Sequence, residues 1–189
     1  MRLLRVLAVL LAMVAVSTAG CSSSSTPAAA GTCLGEIAAA SPADTSAGPG
    51  PGGVALDCFD GSGSVRLDQL TTPAVVNLWA GWCAPCRQEL PEMQKFADAA
   101  SGKVAVVGVD SADTKTSGSS LIDDKHLTYP MLFDPHSTLG RSISQSVLPV
   151  TVFMRSGGAV AYVYHSQTPL DSVKIAALAQ QYLGVRVSG

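Results

Sequence analysis

The sequence predicts an α/β domain organised around a parallel strand–helix–strand unit, and three observations carry that reading. Thr72–Ala80 is a continuous apolar run, the pattern of a central strand buried on both faces. From Ala84 to Ala100 the apolar positions Leu90, Met93, Phe96, Ala97 and Ala100 recur at helical spacing. Lys103–Asp110 then supplies a second buried strand, and this order at this spacing implies parallel pairing through a right-handed crossover.

The other elements follow in chain order. Val54–Phe59 predicts a short strand and Asp60–Ser64 a turn. Pro91 should interrupt and kink the first helix, because proline removes one backbone bond and clashes with the preceding turn; Gly102 closes it. Ser111–Gly118 reads as loop, Ser119–Leu127 as a short helix and Tyr129–Phe133 as a short strand, after which Asp134-Pro135 opens a helical turn running to Ser144. Val150–Arg155 and Ala159–His165, joined by Ser156-Gly157-Gly158, predict an antiparallel hairpin. The last helix is expected to take Thr168 as its cap, with Pro169 at its first position, and to stop at Gly184.

The N-terminus belongs to a different physical class. Arg2 and Arg5 give a positive start, Val6–Val16 an apolar stretch too short to span a bilayer comfortably, and Ser17-Thr18-Ala19-Gly20 a small-residue cleavage zone. Residues 1–20 are therefore expected to be a cleaved export signal. Cys21 follows directly, then a Ser/Pro/Gly/Ala-rich stretch to residue 53; this junction resembles a bacterial lipoprotein signal, in which the cysteine after the small residue is acylated. The alternative is an ordinary cysteine beyond a secretory cleavage site. The expected organisation is a lipoprotein-type signal peptide at 1–20, a flexible tether at 21–53 and one folded domain at 54–189. Losing the two leader arginines takes Lys+Arg from 12 to 10 against 14 Asp+Glu, a net charge of −4. With no basic stripe, nucleic-acid binding has no electrostatic support.

The chemistry is concentrated in Trp82-Cys83-Ala84-Pro85-Cys86, set where the central strand runs into the first helix. Unpaired N–H groups and the helix dipole at that position stabilise thiolate over thiol, so Cys83 is expected to be half exposed and reactive, with Cys86 one turn inside. Of the five cysteines, Cys33 and Cys58 remain once Cys21 is assigned to lipid and Cys83 and Cys86 to the motif. Outside the cytoplasm an even remainder points to a structural disulfide, Cys33–Cys58, closing the loop that contains Ala39–Gly53. The competing reading makes one of the two a resolving thiol.

The run from Asn77 to Pro91, Tyr129-Pro130 ahead of a strand, and Val147-Leu148-Pro149-Val150-Thr151-Val152-Phe153 together resemble the thioredoxin fold. They are most similar to its exported, membrane-tethered branch, the TlpA/ResA-like thiol–disulfide oxidoreductases, over residues 54–184. That resemblance implies a central mixed β-sheet flanked by helices, with an N-terminal extension and a helical insertion. It also implies Cys83 as attacking and Cys86 as resolving cysteine, no cofactor, and protein disulfides or dithiols as substrates. A membrane electron donor or acceptor would complete the circuit, with the lipid anchor holding the domain outside the cytoplasmic membrane. Trp82 would flank and shield the site; its plainer reading is a partly buried core aromatic. Pro149 matches the family's cis-proline, which would let the Leu148 backbone pair with an extended substrate. Glu89 matches an active-site glutamate placed to take a proton from the resolving thiol; otherwise it is a solvated carboxylate on a helix flank. Asn77 stands where cytosolic thioredoxins carry a buried Asp, which raises the weight on Glu89.

Other classes fit less well. A copper- or metal-carrying thioredoxin-fold chaperone is the main alternative, but His126, His136 and His165 are scattered, and the copper-delivery family spaces its thiols by three residues. A peroxiredoxin-type peroxidase would need Pro and Thr/Ser where Val76 and Ala80 stand. The direction of electron flow is open: exported members reduce disulfides, as in apocytochrome c before haem attachment, or oxidise newly secreted proteins. Ala84-Pro85 leans toward the reducing branch.

Overall fold

A computed structural model describes residues 32–37 and 50–187 of the chain. The expected signal segment, Cys21 and most of the tether lie outside the described residues. Within them run β1 (Ala55–Cys58), β2 (Ser64–Arg66), β3 (Ala74–Trp79), α1 (Ala84–Ala100), β4 (Ala105–Ser111), α2 (Lys115–Lys125), β5 (Met131–Asp134), α3 (Thr138–Ser142), β6 (Val150–Met154), β7 (Val160–His165) and α4 (Ser172–Leu183). The strands of the described residues make one mixed sheet in the order β2-β1-β5-β4-β3-β6-β7. Only β3–β4 and β4–β5 are parallel; the other neighbours are antiparallel.

The strand that delivers the cysteine motif lies in the middle of this sheet. Every residue of β3 is buried, with β4 on one side and β6 on the other. Its alternate residues feed two separate cores, because successive side chains leave a strand on opposite faces. Val75 and Trp79 pack with Cys86, Leu90, Met93 and Phe96 of α1 and Ile175 and Leu178 of α4. Ala74, Val76 and Leu78 pack with Leu56, Leu67, Leu132 and Leu139 on the other face. Each large side chain taken fully out of water contributes about 1.5–3 kcal/mol, so both cores resist any slide of β3. The end of β3, and hence the start of α1, is a fixed point.

The N-terminal segment is stitched to the second core. Thr32–Ile37 forms a short 3-10 turn in which Leu34 is buried. The Cys33 and Cys58 sulfurs are bonded across a separation of 25 residues, with Cys58 fully buried at the end of β1. The chain-entropy account of such a loop gives about 3 kcal/mol of stabilisation.

Several local expectations need correction. Ser64 belongs to a strand, β2, which pairs with β1 through the 59–63 turn; a three-residue strand is too short to show a period. The helix α2 starts at Lys115, inside the stretch expected to be loop, because the Thr114 hydroxyl accepts the Ser117 N–H at 3.2 Å. The third helix begins only at Thr138: the Asp134 carboxylate accepts the Thr138 and Leu139 N–H groups across the intervening turn. Helix α1 continues through Pro91 without interruption. The cap of α4 is Asp171, not Thr168: its carboxylate accepts the Lys174 N–H at 2.7 Å, while Glu92 accepts the Ser172 N–H at 3.1 Å. Gly184 does close α4, in the left-handed region.

Replacing the observed cap should be measurable. Asp171→Ala is expected to lower the unfolding free energy in urea by about 1 kcal/mol, and Thr168→Ala by much less. Equal losses in the two variants would contradict the cap assignment.

Candidate active site

The turn between β3 and α1 is held by main-chain and side-chain bonds on both sides of the cysteines. Cys83 N–H donates to the Ala80 carbonyl at 3.1 Å, and Arg87 N–H to the Cys83 carbonyl at 3.2 Å. The Arg87 guanidinium reaches back to the Gly81 carbonyl at 2.9 Å. From the other side, the loop after β4 takes the Gly81 N–H on Asp113 Oδ2 at 2.6 Å and the Trp82 indole N–H on the Ala112 carbonyl at 2.9 Å.

Cys83 is the N-cap of α1, and its Sγ accepts the Cys86 N–H at 3.3 Å. This is the geometry the helix-dipole argument requires: a backbone donor of the first turn points at the sulfur. Cys83 and Cys86 are joined as a disulfide with Cα atoms 5.3 Å apart. Cys83 is only 4% exposed, against the half-exposed thiol expected, because the disulfide folds its sulfur back over the first turn of α1. Cys86 is fully buried. Trp82, by contrast, is 60% exposed, which excludes the core-aromatic reading. It lines a shallow pocket with Ala112, Ser146 and Leu148. The Leu148–Pro149 peptide bond is cis, at the entrance to β6.

Glu89 is not a solvated flank residue. It is 1% exposed on the inner face of α1. Its Oε1 accepts the Asn77 amide at 2.6 Å and the Thr151 hydroxyl at 3.2 Å, and its Oε2 accepts the Leu170 N–H at 3.0 Å. Burial pushes its carboxyl above the usual carboxylate range, and these three donors pull partly in the other direction. Asn77 also donates to Thr151 at 3.1 Å, so β3 and β6 meet through the same polar cluster.

The structure thus brings Cys83, Trp82, Leu148 and Pro149 to one end of the sheet, with Cys86 and Glu89 beneath on its α1 face. Cys33 and Cys58 belong to the opposite core. Cys21 lies outside the described residues. Among the described residues there is no group of three or more His, Cys, Asp or Glu side chains able to hold a metal ion. Nor is any described helix long and apolar enough to cross a membrane.

One buried acid escaped the sequence reading. Asp110 is fully buried near the end of β4, opposite Trp79 of β3, and neither carboxyl oxygen has a hydrogen-bond donor. Burial, with the Asp113 carboxyl beside it, pushes its pKa up to about 8. Burial also pushes the unpaired Tyr129 phenol upward on the same side of the sheet. A charged residue closing an otherwise apolar strand next to the cysteine turn was the available signal.

Residues 54–163 match the model of the AhpC/TSA family. Among curated proteins, the thiol-disulfide oxidoreductase ResA of Oceanobacillus iheyensis is 28% identical over 113 residues, covering 59% of each chain. The thiol:disulfide interchange protein DsbE of Pseudomonas fluorescens biotype C is 29% identical over 100 residues, 52% of this chain and 54% of the relative. The chain therefore spans between half and three-fifths of the length of these relatives. Among solved structures, a secreted Mycobacterium tuberculosis disulfide oxidoreductase aligns with TM-score 0.59 at 20% identity, over 70% of this chain and 96% of that one. StoA from Bacillus subtilis aligns with TM-score 0.56 at 21% identity, over 65% and 92%. At those identities the structures speak for the fold, and it is the thioredoxin-like fold anticipated from the sequence. With a family model covering more than half of its residues, the chain belongs to the AhpC/TSA family.

Proposed function

We propose that this protein is an extracytoplasmic thiol–disulfide oxidoreductase that exchanges electrons with protein disulfides through Cys83 and Cys86. The observation that carries the reading is Cys83 at the N-cap of α1, its sulfur accepting a first-turn N–H and bonded to Cys86. In the reduced protein that donor and the helix terminus favour the Cys83 thiolate, the attacking species. The thiolate attacks one sulfur of a substrate disulfide; a Cys83–substrate bond forms, and the other substrate sulfur leaves as thiolate and takes a proton. Cys86, losing its proton to Glu89 one turn along α1, then attacks Cys83 Sγ and expels the second substrate thiolate. Two electrons have passed to the substrate, and Cys83–Cys86 is a disulfide. Run backward, the same steps oxidise a substrate dithiol.

The remaining assignments follow from position. Trp82 and the Leu148–Pro149 segment form the contact surface for an extended substrate strand, supported by the exposed indole and by the pocket that Trp82 and Leu148 line. The buried Cys33–Cys58 bond serves stability, fastening the N-terminal turn to the sheet rather than facing the exchange site. Residues 1–20 act as the export signal, Cys21 as the lipid attachment point, residues 21–53 as tether and 54–189 as the working domain. A membrane-bound electron donor or acceptor would reset the cysteine pair. Similarity to the thiol-disulfide oxidoreductase ResA and the thiol:disulfide interchange protein DsbE supports exchange with protein thiols.

Substitution of the two cysteines separates attack from resolution. Cys83→Ser is expected to abolish reduction of a generic protein disulfide such as insulin, and Cys86→Ser to accumulate a mixed disulfide at Cys83 visible by mass. Full activity in Cys83→Ser would move the chemistry to another thiol. Glu89 makes a second, thermodynamic test. Its carboxyl keeps its proton to higher pH in the folded chain than in the unfolded one. The stability this brings is complete below the unfolded value near 4.5 and is lost as pH rises through the raised folded value. Wild-type unfolding free energy should therefore fall with pH over that interval relative to Glu89→Gln, and parallel profiles would contradict the assignment. Glu89→Ala, which leaves three donors unpaired in the interior, should cost at least about 2 kcal/mol at any pH.

A further inference from the structure

We propose that Asp110 backs Asp113 through its own proton, and that the two together hold the Gly81–Trp82 turn so that Cys83 is presented for exchange. Asp110 is then a positioning residue acting through Asp113. The inference rests on the reading of Cys83 as the attacking thiol.

The geometry begins with two strands in register. Trp79, the last residue of β3, pairs with Asp110 of β4, so the carboxyl lies directly beside the point where the chain leaves the sheet for the cysteine turn. Helix α2 closes over it: a Cβ on Gly118 would stand 2.1 Å from Asp110 Oδ2, so the α2 backbone is pressed against the carboxyl and no side chain fits between. With both Asp110 oxygens lacking a donor, the polar group they face is the carboxyl of Asp113. A carboxyl group buried beside another, with no cation between them, is tolerated when the buried one, Asp110, keeps its proton.

The neighbouring charges leave that as the available solution. The nearest cation on α2, Lys115, donates its ammonium to the Phe59 carbonyl at 3.1 Å and lies over the Phe59 and Phe133 rings. From β3, Trp79 brings no charge. From the segment before β5, Tyr129 is neutral, and α1 presents Cys83, Cys86 and Glu89 on this side of the sheet. On β5, Asp134 is turned to the N–H groups that open α3.

Asp113 is the working end of the pair. Its Oδ2 takes the Gly81 N–H at 2.6 Å and its Oδ1 the Thr114 N–H at 2.7 Å. The fit around Gly81 is tight: a Cβ there would lie 2.2 Å from Ser117 Oγ and 2.9 Å from Asp113 Oδ2. Between the two acids, Ala112 is held at φ +56°, a left-handed conformation that costs a non-glycine residue free energy, while its carbonyl receives the Trp82 indole N–H. The loop is held in this form by its two bonds to the cysteine turn and by the Ala112 N–H, which donates to the Asp134 carbonyl at 3.1 Å. Removing the Asp110 proton leaves a buried carboxylate beside the Asp113 carboxyl. Repulsion then drives the solvent-side Asp113 off Gly81, and the turn carrying Trp82 and Cys83 loosens.

The test uses the oxidised protein, whose cysteines do not titrate, and follows the Gly81 amide resonance between pH 6 and 10. In wild type the amide should shift in a single transition with the same midpoint as the Asp110 side-chain carboxyl carbon. In Asp110→Asn the transition should be absent, and in Asp113→Ala the hydrogen-bonded shift should be missing at every pH. The functional arm is the ratio of wild-type to Asp110→Asn rates for reduction of Cys83–Cys86 by dithiothreitol, in which the reagent's own pH dependence cancels. That ratio should fall by at least about threefold across the same transition, since small displacements of a reacting atom carry large rate penalties. A Gly81 amide insensitive to pH in wild type, or a transition that persists in Asp110→Asn, overturns the pair. A titrating amide with a flat rate ratio overturns the positioning role. If Asp110→Asn does not fold, the wild-type Asp110 and Gly81 midpoints decide alone, and unequal midpoints refute the proposal. Loss of all exchange activity in wild type would instead condemn the reading of Cys83, and the Gly81 amide would still decide the pair.

Discussion

The region around the cysteines depends on one carboxyl group. Glu89 sits fully buried on α1, where an isolated carboxylate would be too costly to keep, and it is tolerated because three donors converge on it. Those donors come from β3, from β6 two residues after the cis peptide bond, and from the chain just before α4. One side chain therefore fixes the helix that carries Cys86, the strand that delivers Cys83 and the strand entered through Pro149. Glu92, one turn further, ties the first residue of α4 to the same helix. Deleting the carboxyl would leave the donors from all of these segments unpaired at once.

The two buried acids on this face are held in opposite ways. Glu89 has every oxygen matched to a donor, whereas Asp110 has none and faces a second acid. The first arrangement fixes a buried carboxyl one turn along α1 from Cys86 with little freedom to move. The second has only a proton to stabilise it, and so couples the loop after β4 to solution pH. Both arrangements are built from the same sheet end, where β3 and β4 run parallel and expose their carboxyl-terminal edges to the turn above.

Much of this was legible in the residues, and what was not has physical causes. The long runs at Thr72–Ala80 and Lys103–Asp110 and the period of Ala84–Ala100 specified the central unit because burial on both faces leaves an unbroken apolar signature. The cysteine turn was legible for the same reason: its position between those runs sets its chemistry. Glu89 could be nominated through the family resemblance, from its place three residues past Cys86. Its partners Thr151 and Leu170, 62 and 81 residues away, could not, since only tertiary packing brings them together. The short elements failed through competition among local caps. Thr114, Asp134 and Asp171 each hold a helix start, and which acid or hydroxyl wins depends on neighbours such as Glu92 that the local sequence does not reveal. The burial of Asp110 depends on α2 closing over it at Gly118, a tertiary contact that the strand's own residues do not reveal.

The division of labour between the two disulfides is the central claim, and a redox titration of the protein against glutathione tests it directly. Each cysteine would be trapped by alkylation and located by mass. Cys83 and Cys86 are predicted to exchange together in one two-electron transition within the range of about −270 to −120 mV spanned by known exchange proteins, while Cys33–Cys58 stays oxidised throughout. A Cys33–Cys58 bond that opens first, or a Cys83–Cys86 pair inert across that range, would contradict the account.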